Sequence, residues 1–311
     1  MGAMVQSPLI FDRMLLRARQ RRAAALGLES FLIDRVAEDL GERLATVLRR
    51  FDLALDLGSP GDAVRRGLAA SGKVGTIIAA NALAQAPFGG GGVEPLMVAA
   101  DEEALPFRDG SFDLVVSALA LQFVNDLPGT LVQVRRALKP DGLFIAALAG
   151  GDTLTELRQS FAAAEAEIED GVSPRVAPFA DLRDLGALLQ RAVFALPVTD
   201  VERLTVRYAS LLALLHDLRR MGATNVLAER RRRPLRRATL ARLMEIYGAR
   251  FADPDGRVRA TFDIVWLSGW APHESQQRPL KPGSARTRLA DALGTSEISA
   301  GEKAGDGDGS Q

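Results

Sequence analysis

Residues 51–62, FDLALDLGSPGD, place the carboxylate of Asp56 and two glycines where a strand gives way to a helix. In an open α/β sheet such a turn faces a crevice, and its backbone amides can meet a phosphate, a ribose or an amino-acid ligand. Asp56, Gly58 and Gly61 are therefore candidate binding residues, and a tight turn with no ligand is the competing reading. Pro60 stands inside the turn, where it fixes φ near about −65° and removes one amide donor. The following apolar run, VGTIIAANAL, offers no acid to hold a ribose. Losing such a charge-assisted bidentate contact costs about 2–3 kcal/mol, one to two orders of magnitude in affinity.

A second candidate is Asp101-Glu102-Glu103, after the run LMVAA. A carboxylate there can accept from the exocyclic amine of an adenine, or the three acids form a solvated loop. Leu105-Pro106-Phe107 follows as an apolar platform. The chain has two histidines, His216 and His273, neither in an H-x-[DE] pattern, so each reads as an ordinary polar contact and no metal is expected. Cysteine is absent, which excludes disulfides, zinc-cysteine sites and thiol nucleophiles. AERRRRPLRR, residues 228–237, suits an acidic partner or RNA, or else a solvated helix end. Trp266 and Trp270 either line a cleft with His273 and Glu274 or anchor the last strand.

The elements that must position these residues can be read from period. Between Arg13 and Arg50 apolar residues recur at helical spacing and predict two amphipathic helices. LALDLG, VGTII, LMVAA, FDLVVSALAL and GLFIAAL are then short continuous apolar runs alternating with helical segments, which predicts a parallel sheet covered on both faces. A helix is expected from Pro128 to Leu138, a turn at Lys139-Pro140-Asp141-Gly142, then a strand. Beyond Gly150 come helices at 153–168 and from Asp181 to Ala192, a strand at VTDVERLTVRYAS, a helix at LLALLHDLRRMGA and a last strand at ATFDIVWLSGWA. The Gly-, Ser- and acid-rich end is expected to be disordered.

Lys+Arg and Asp+Glu are equal at 39 each, so no net field draws the chain to nucleic acid or to an anionic membrane. No apolar stretch of about 18 residues occurs, and the N-terminus lacks an apolar run ending in a small-residue cleavage site. A soluble, cytoplasmic protein is expected, with no membrane span and no nucleic-acid partner.

DLG, ADEEALPFRDGSFDLVVS and RRALKPDGLFIAAL, set among seven apparent strands, resemble class I S-adenosylmethionine-dependent methyltransferases of the type 11 group. More narrowly, LALQFVNDLP, SPRVAPFADLRDLGALLQRA, LLHDLRRMGATN and GWAPHESQQRP resemble the branch of respiratory complex I assembly factors, arginine hydroxylases related to biotin-pathway methyltransferases. The likeness runs from about Ile10 to Ala290. It implies a Rossmann-like seven-stranded α/β sheet with N-terminal helices (1–50), an S-adenosylmethionine-binding core (51–150), a C-terminal cap completing the sheet (151–288) and a disordered tail (289–311). It also implies S-adenosylmethionine as cofactor, a protein substrate such as a complex I subunit, and methyl transfer or arginine hydroxylation as the reaction; a non-catalytic assembly protein is the alternative. By the same resemblance Asp56, Gly58 and Gly61 match the first motif, Asp101 and Glu102 match the adenine-side segment, and Leu119 joins the cofactor contacts. The departures are Ser59-Pro60, and Ile77 in place of the ribose-binding acid.

Overall fold

A computed structural model describes residues 9–83 and 96–276, together with 291 and 294–296. Residues up to His273 form one compact unit and those from Glu274 a second. The expected tail from 289 falls almost wholly outside the described residues.

Two helices lead, α1 (Arg13–Leu26) and α2 (Phe31–Thr46). Asp12 starts α1 by accepting from the Leu15 amide at 3.0 Å, as an N-cap should. There follow β1 (Phe51–Leu57), α3 (Ala63–Ala70), β2 (Val74–Asn81), β3 (Leu96–Ala99), β4 (Phe112–Ala118), α4 (Leu127–Ala137) and β5 (Leu138–Gly150). α4 is set by Asp126, which caps Gly129 at 2.8 Å, and by Pro128 in its first turn. The chain then adds α5 (Thr155–Ile168), α6 (Leu182–Arg191), β6 (Ala195–Tyr208), α7 (Leu211–Arg220), α8 (Arg237–Phe251) and β7 (Val258–Trp270).

The seven strands form one sheet in the order β3-β2-β1-β4-β5-β7-β6. β1 to β5 are parallel, as their unbroken apolar runs predict, and every residue of β4 is buried. The expectation of an all-parallel sheet holds only this far. β7 enters antiparallel between β5 and β6, pairing Leu143 with Trp270 and Gly150 with Asp263. An apolar run buried on both faces carries no mark of direction, so the sequence could not reveal this.

The expected turn at 139–142 is instead absorbed into β5. Asp141 takes φ +62 and the pairing with β4 jumps from Phe112↔Leu138 to Leu114↔Leu143, a bulge that gives the strand its early start. One core cluster on one face of the sheet joins Leu40 and Leu44 of α2 to Leu157 of α5, Leu214 of α7 and Tyr247 of α8. A second, on the other face, joins Leu131 of α4 to Leu185 and Leu189 of α6. Among the described residues no helix is long and apolar enough to cross a membrane.

Candidate binding cavity at the strand ends

The turn after β1 holds Gly58 at φ +74 and Gly61 at φ +69, a backbone that favours glycine. A Cβ on Gly58 would stand 2.8 Å from Glu102 Oε1 and 3.0 Å from the Ala120 Cβ. The turn is stitched to the end of β4: the Ser117 hydroxyl donates to Leu57 O at 2.7 Å, and the Ala118 amide donates to Ser59 Oγ at 2.9 Å. Ser59, which the sequence reading treated as a departure, thus ties together the two turns that bound the crevice.

Asp56 stands next to last in β1 and is 1% exposed. Burial pushes its carboxyl above the ordinary value, while Ser59 and the Arg65 guanidinium pull it down. Arg65 Nη1 lies 3.0 Å from Asp56 Oδ2. A cation in the first turn of a helix faces the positive end of its dipole, so Arg65 depends on this carboxylate for its place. Asp56 Oδ1 is buried with no donor.

Asp56, Gly58 and Gly61 line a cavity of about 1090 Å³, above the roughly 300–1,000 Å³ usual for ligand sites. It runs past Leu119 and Gln122, beyond β4, to Leu157 and Phe161 of α5 and Leu218 of α7. Leu119 takes φ +52 and its amide donates to Ala147 O at 2.8 Å, which sets this strand exit firmly.

Ile77, matched to the ribose acid by resemblance, lies in the body of β2 opposite Ala54, two residues short of the Asp56–Ala79 pair. β2 runs on to Asn81, which also lines the cavity. Asn81 is thus a polar side chain at the end of β2, and its amide oxygen accepts from the Leu83 amide at 2.8 Å. The sequence reading, which looked for an acid, did not single it out.

Asp101 and Glu102 do not line the cavity. The acidic loop after β3 is gathered instead by α1: Arg13 reaches Asp101 at 2.8 Å and Glu103 at 3.0 Å and also pairs with Glu102, while Arg17 pairs with Asp101. The loop is therefore not simply solvated, and Glu102 is brought against Gly58 with its charge already met.

His216 is exposed on α7, and His273 is exposed beyond β7. No group of three or more metal-ligating side chains is present among the described residues. Much of the arginine run is engaged within the fold, with Arg230 paired to Asp12 at 3.1 Å and Arg231 to Glu169 at 2.9 Å. Trp266 is buried in β7 under the Arg43 guanidinium, 4.3 Å from its ring centre, and so anchors the strand.

A family described as "Methyltransferase domain" matches residues 55–146. The protein named arginine-hydroxylase NDUFAF5, mitochondrial, from Danio rerio is 39% identical over 289 residues, 91% of this chain and 89% of that protein. The malonyl-(acyl-carrier protein) O-methyltransferase of Gallionella capsiferriformans (strain ES-2) is 42% identical over 184 residues, 58% of this chain and 60% of that protein. A crystal structure from Bacillus halodurans C-125, described as a methyltransferase, superposes with a TM-score of 0.52 at 17% identity, covering 76% of this chain and 98% of that one. This likeness establishes the Rossmann-like methyltransferase fold. The name of the Danio rerio relative is mitochondrial, and it overturns the expected cytoplasmic location.

Proposed function

The chain belongs to the family of the arginine-hydroxylase NDUFAF5 proteins, and from that premise we propose that it is an S-adenosylmethionine-binding enzyme that modifies an arginine side chain of a protein, such as a complex I subunit, during complex I assembly. The observation that carries this reading is the cavity that opens at the β1 turn, walled partly by the parallel core and partly by the C-terminal helices. Glycine at 58 lets the turn pack against Glu102 and Ala120 while still lining the cavity, and the buried Asp56 carboxylate lines it beside Gly61, so the residues present fit the cofactor.

When bound, S-adenosylmethionine supplies an activated methyl on a cationic sulfur. The chain's own residues would do the rest. Asn81 would offer its amide N–H to a ribose hydroxyl, and the Gly61 amide would face the ligand where Pro60 cannot. Leu119, Phe123 and Leu154 would exclude water. Glu102, held by Arg13, would set one wall of the turn. Methyl transfer asks mainly for alignment of nucleophile, methyl and sulfur, whereas hydroxylation of an arginine inserts oxygen and draws on an external oxidant. Pro60 and the missing acid of β2 favour a second reading, an assembly partner that has the fold without turnover.

The test begins with calorimetry of the purified protein against S-adenosylmethionine, beside Gly58→Arg. Micromolar binding that the variant abolishes is expected. Mass spectrometry of an arginine-containing peptide incubated with the protein, with and without oxidant, then separates an added methyl from an added oxygen. An unmodified peptide under both conditions would leave the assembly-partner reading.

A further inference from the structure

The start of the arginine run at 228–237 meets helix α1 beside the cavity wall. Thr224, Asn225 and Val226 line the cavity, as do Gln20, Ala23 and Ala24 of α1. Cations gather on this part of the wall. Arg19 of α1 donates to the Asn225 carbonyl, Arg22 Nη2 lies 3.5 Å from Thr224 Oγ1, and Arg230 Nη1 donates to Leu227 O at 2.8 Å. Burial first, and then the charges of Arg22 and Arg230, lower the Arg19 guanidinium below its ordinary value, so the three stand near enough to repel one another.

Asp12 is the carboxylate placed among them. It pairs with Arg230 at 3.1 Å, and its carboxyl is held below the ordinary value by the Leu15 amide, against burial, and then by Arg230 and Arg232. Among the described residues neither Arg19 nor Arg22 pairs with a carboxylate. Each turns to a carbonyl or a hydroxyl instead, and Arg22 Nε is buried with no acceptor. Arg232 and Arg233 follow as exposed side chains. The fold thus collects positive charge across sequence separations of 206 and 202 residues and leaves it short of acids. Guanidinium groups so placed keep N–H donors in planar forks that match a carboxylate or a phosphate.

Between those two anions the surroundings favour the carboxylate. No aromatic side chain is exposed among the described residues, so the surface lacks the rings on which unpaired bases stack. Lys+Arg and Asp+Glu are equal at 39 each, so no general field draws a nucleic acid to this wall either.

We infer that Arg19, Arg22, Arg230 and Arg232 form a docking surface for an acidic segment of the protein substrate, adjacent in sequence to the side chain that enters the cavity. The inference rests on the proposed modification of a protein and deepens it. The cavity takes the reacting side chain, and the cationic wall reads the charge of its neighbours.

The experiment is fluorescence anisotropy of the full chain with two labelled arginine-containing peptides, one with a run of aspartates beside the arginine and one with asparagines in their place. Wild type is expected to prefer the aspartate peptide by about tenfold, and added salt should shrink the preference. Arg22→Gln combined with Arg232→Gln should cut it several-fold, whereas Arg108→Gln, at an exposed position before β4, should leave it unchanged. Because the preference is a ratio measured within one variant, partial misfolding does not imitate its loss. The inference is overturned if wild type binds the two peptides equally, if the double variant keeps the preference, or if Arg108→Gln lowers it as far. An oligouridine that displaces the labelled peptide better than the unlabelled aspartate peptide does would assign the wall to nucleic acid and overturn it as well. Aspartate preference with neither peptide modified in mass spectrometry would uphold the docking surface while refuting the modifying enzyme, and modification without the preference would do the reverse.

Discussion

Asp39 of α2 lies close to Glu202 of β6, and burial together with that carboxylate pushes its own carboxyl up to about 6 from an ordinary 3.8, against the pull of Arg35. The folded state therefore holds this proton more tightly than the unfolded chain does. Its contribution to stability is present at low pH and is lost as the pH rises from about 3.8 to about 6. Glu202 moves the other way, its carboxyl lowered by the hydrogen bond with Asp39, and its contribution is lost on acidification. Asp39→Asn should thus raise the melting temperature at neutral pH and flatten the slope between those two values in a calorimetric pH series. An unchanged slope would show that the Asp39 proton plays no part. Gly58 gives a second expectation at this scale. Gly58→Ala combines φ +74 with a 2.8 Å approach to Glu102, so it should destabilise by roughly 1–3 kcal/mol in urea and weaken S-adenosylmethionine binding. That Asp56, Gly58 and Gly61 face a crevice was legible because a strand, a glycine turn and a helix are contiguous in sequence. That Asn81 and Gln122 line the same cavity was not, since an amide at a strand end or loop has no motif until the fold closes a cavity around it.

At the scale of elements, α1 shows what spacing along the chain conceals. Its Arg13 and Arg17 meet the loop after β3 across sequence separations of 89 and 84 residues, so the acids of that loop read either as adenine contacts or as solvated, and their ion pairs stay hidden until the fold is known. Asn125 adds to the attachment by accepting from the amides of Ile10 and Phe11, both at 2.8 Å. Arg13→Ala would leave Asp101, Glu102 and Glu103 without their shared cation in partly buried ground. A loss of roughly 2–4 kcal/mol in the urea unfolding free energy is expected. Because exposed charges are screened and these are only partly exposed, about 1 M salt should reduce the difference without removing it. A loss below about 0.5 kcal/mol, the value typical of a surface pair, would mean that α1 is held by its apolar contacts alone. The helices and strands themselves were largely readable from period. α8 was missed because the arginine run drew the eye to charge, whereas its buried residues Leu243, Ile246 and Tyr247 keep helical spacing. The antiparallel direction of β7 and the bulge at Asp141 depend on pairing, which no local pattern records.

For the whole molecule the question is whether the segments proposed as an N-terminal pair of helices, a cofactor-binding core and a C-terminal cap are folding units. The methyltransferase family matches only residues 55–146, yet the core does not stop there. Leu44, Leu114, Ile145, Leu214, Tyr247 and Trp266 belong to a single buried cluster, so all three segments close the same interior. β5 has neighbours on both sides, β4 and β7, and nearly all its residues from Leu143 onward are buried. A chain ended after Gly150 would lose β7 and present β5 as a long apolar edge, the kind of strand that recruits other chains. Residues 1–150 expressed alone are therefore expected to aggregate, or to bind a hydrophobic dye without a cooperative thermal transition. A soluble fragment that melts cooperatively would mean instead that the cofactor-binding half is a domain in its own right and that the last two strands merely lean on it. The cavity argues against that outcome, because its far wall is built from α5 and α7, and a cofactor half without them would hold a crevice open to water on the side where the proposed substrate must be enclosed.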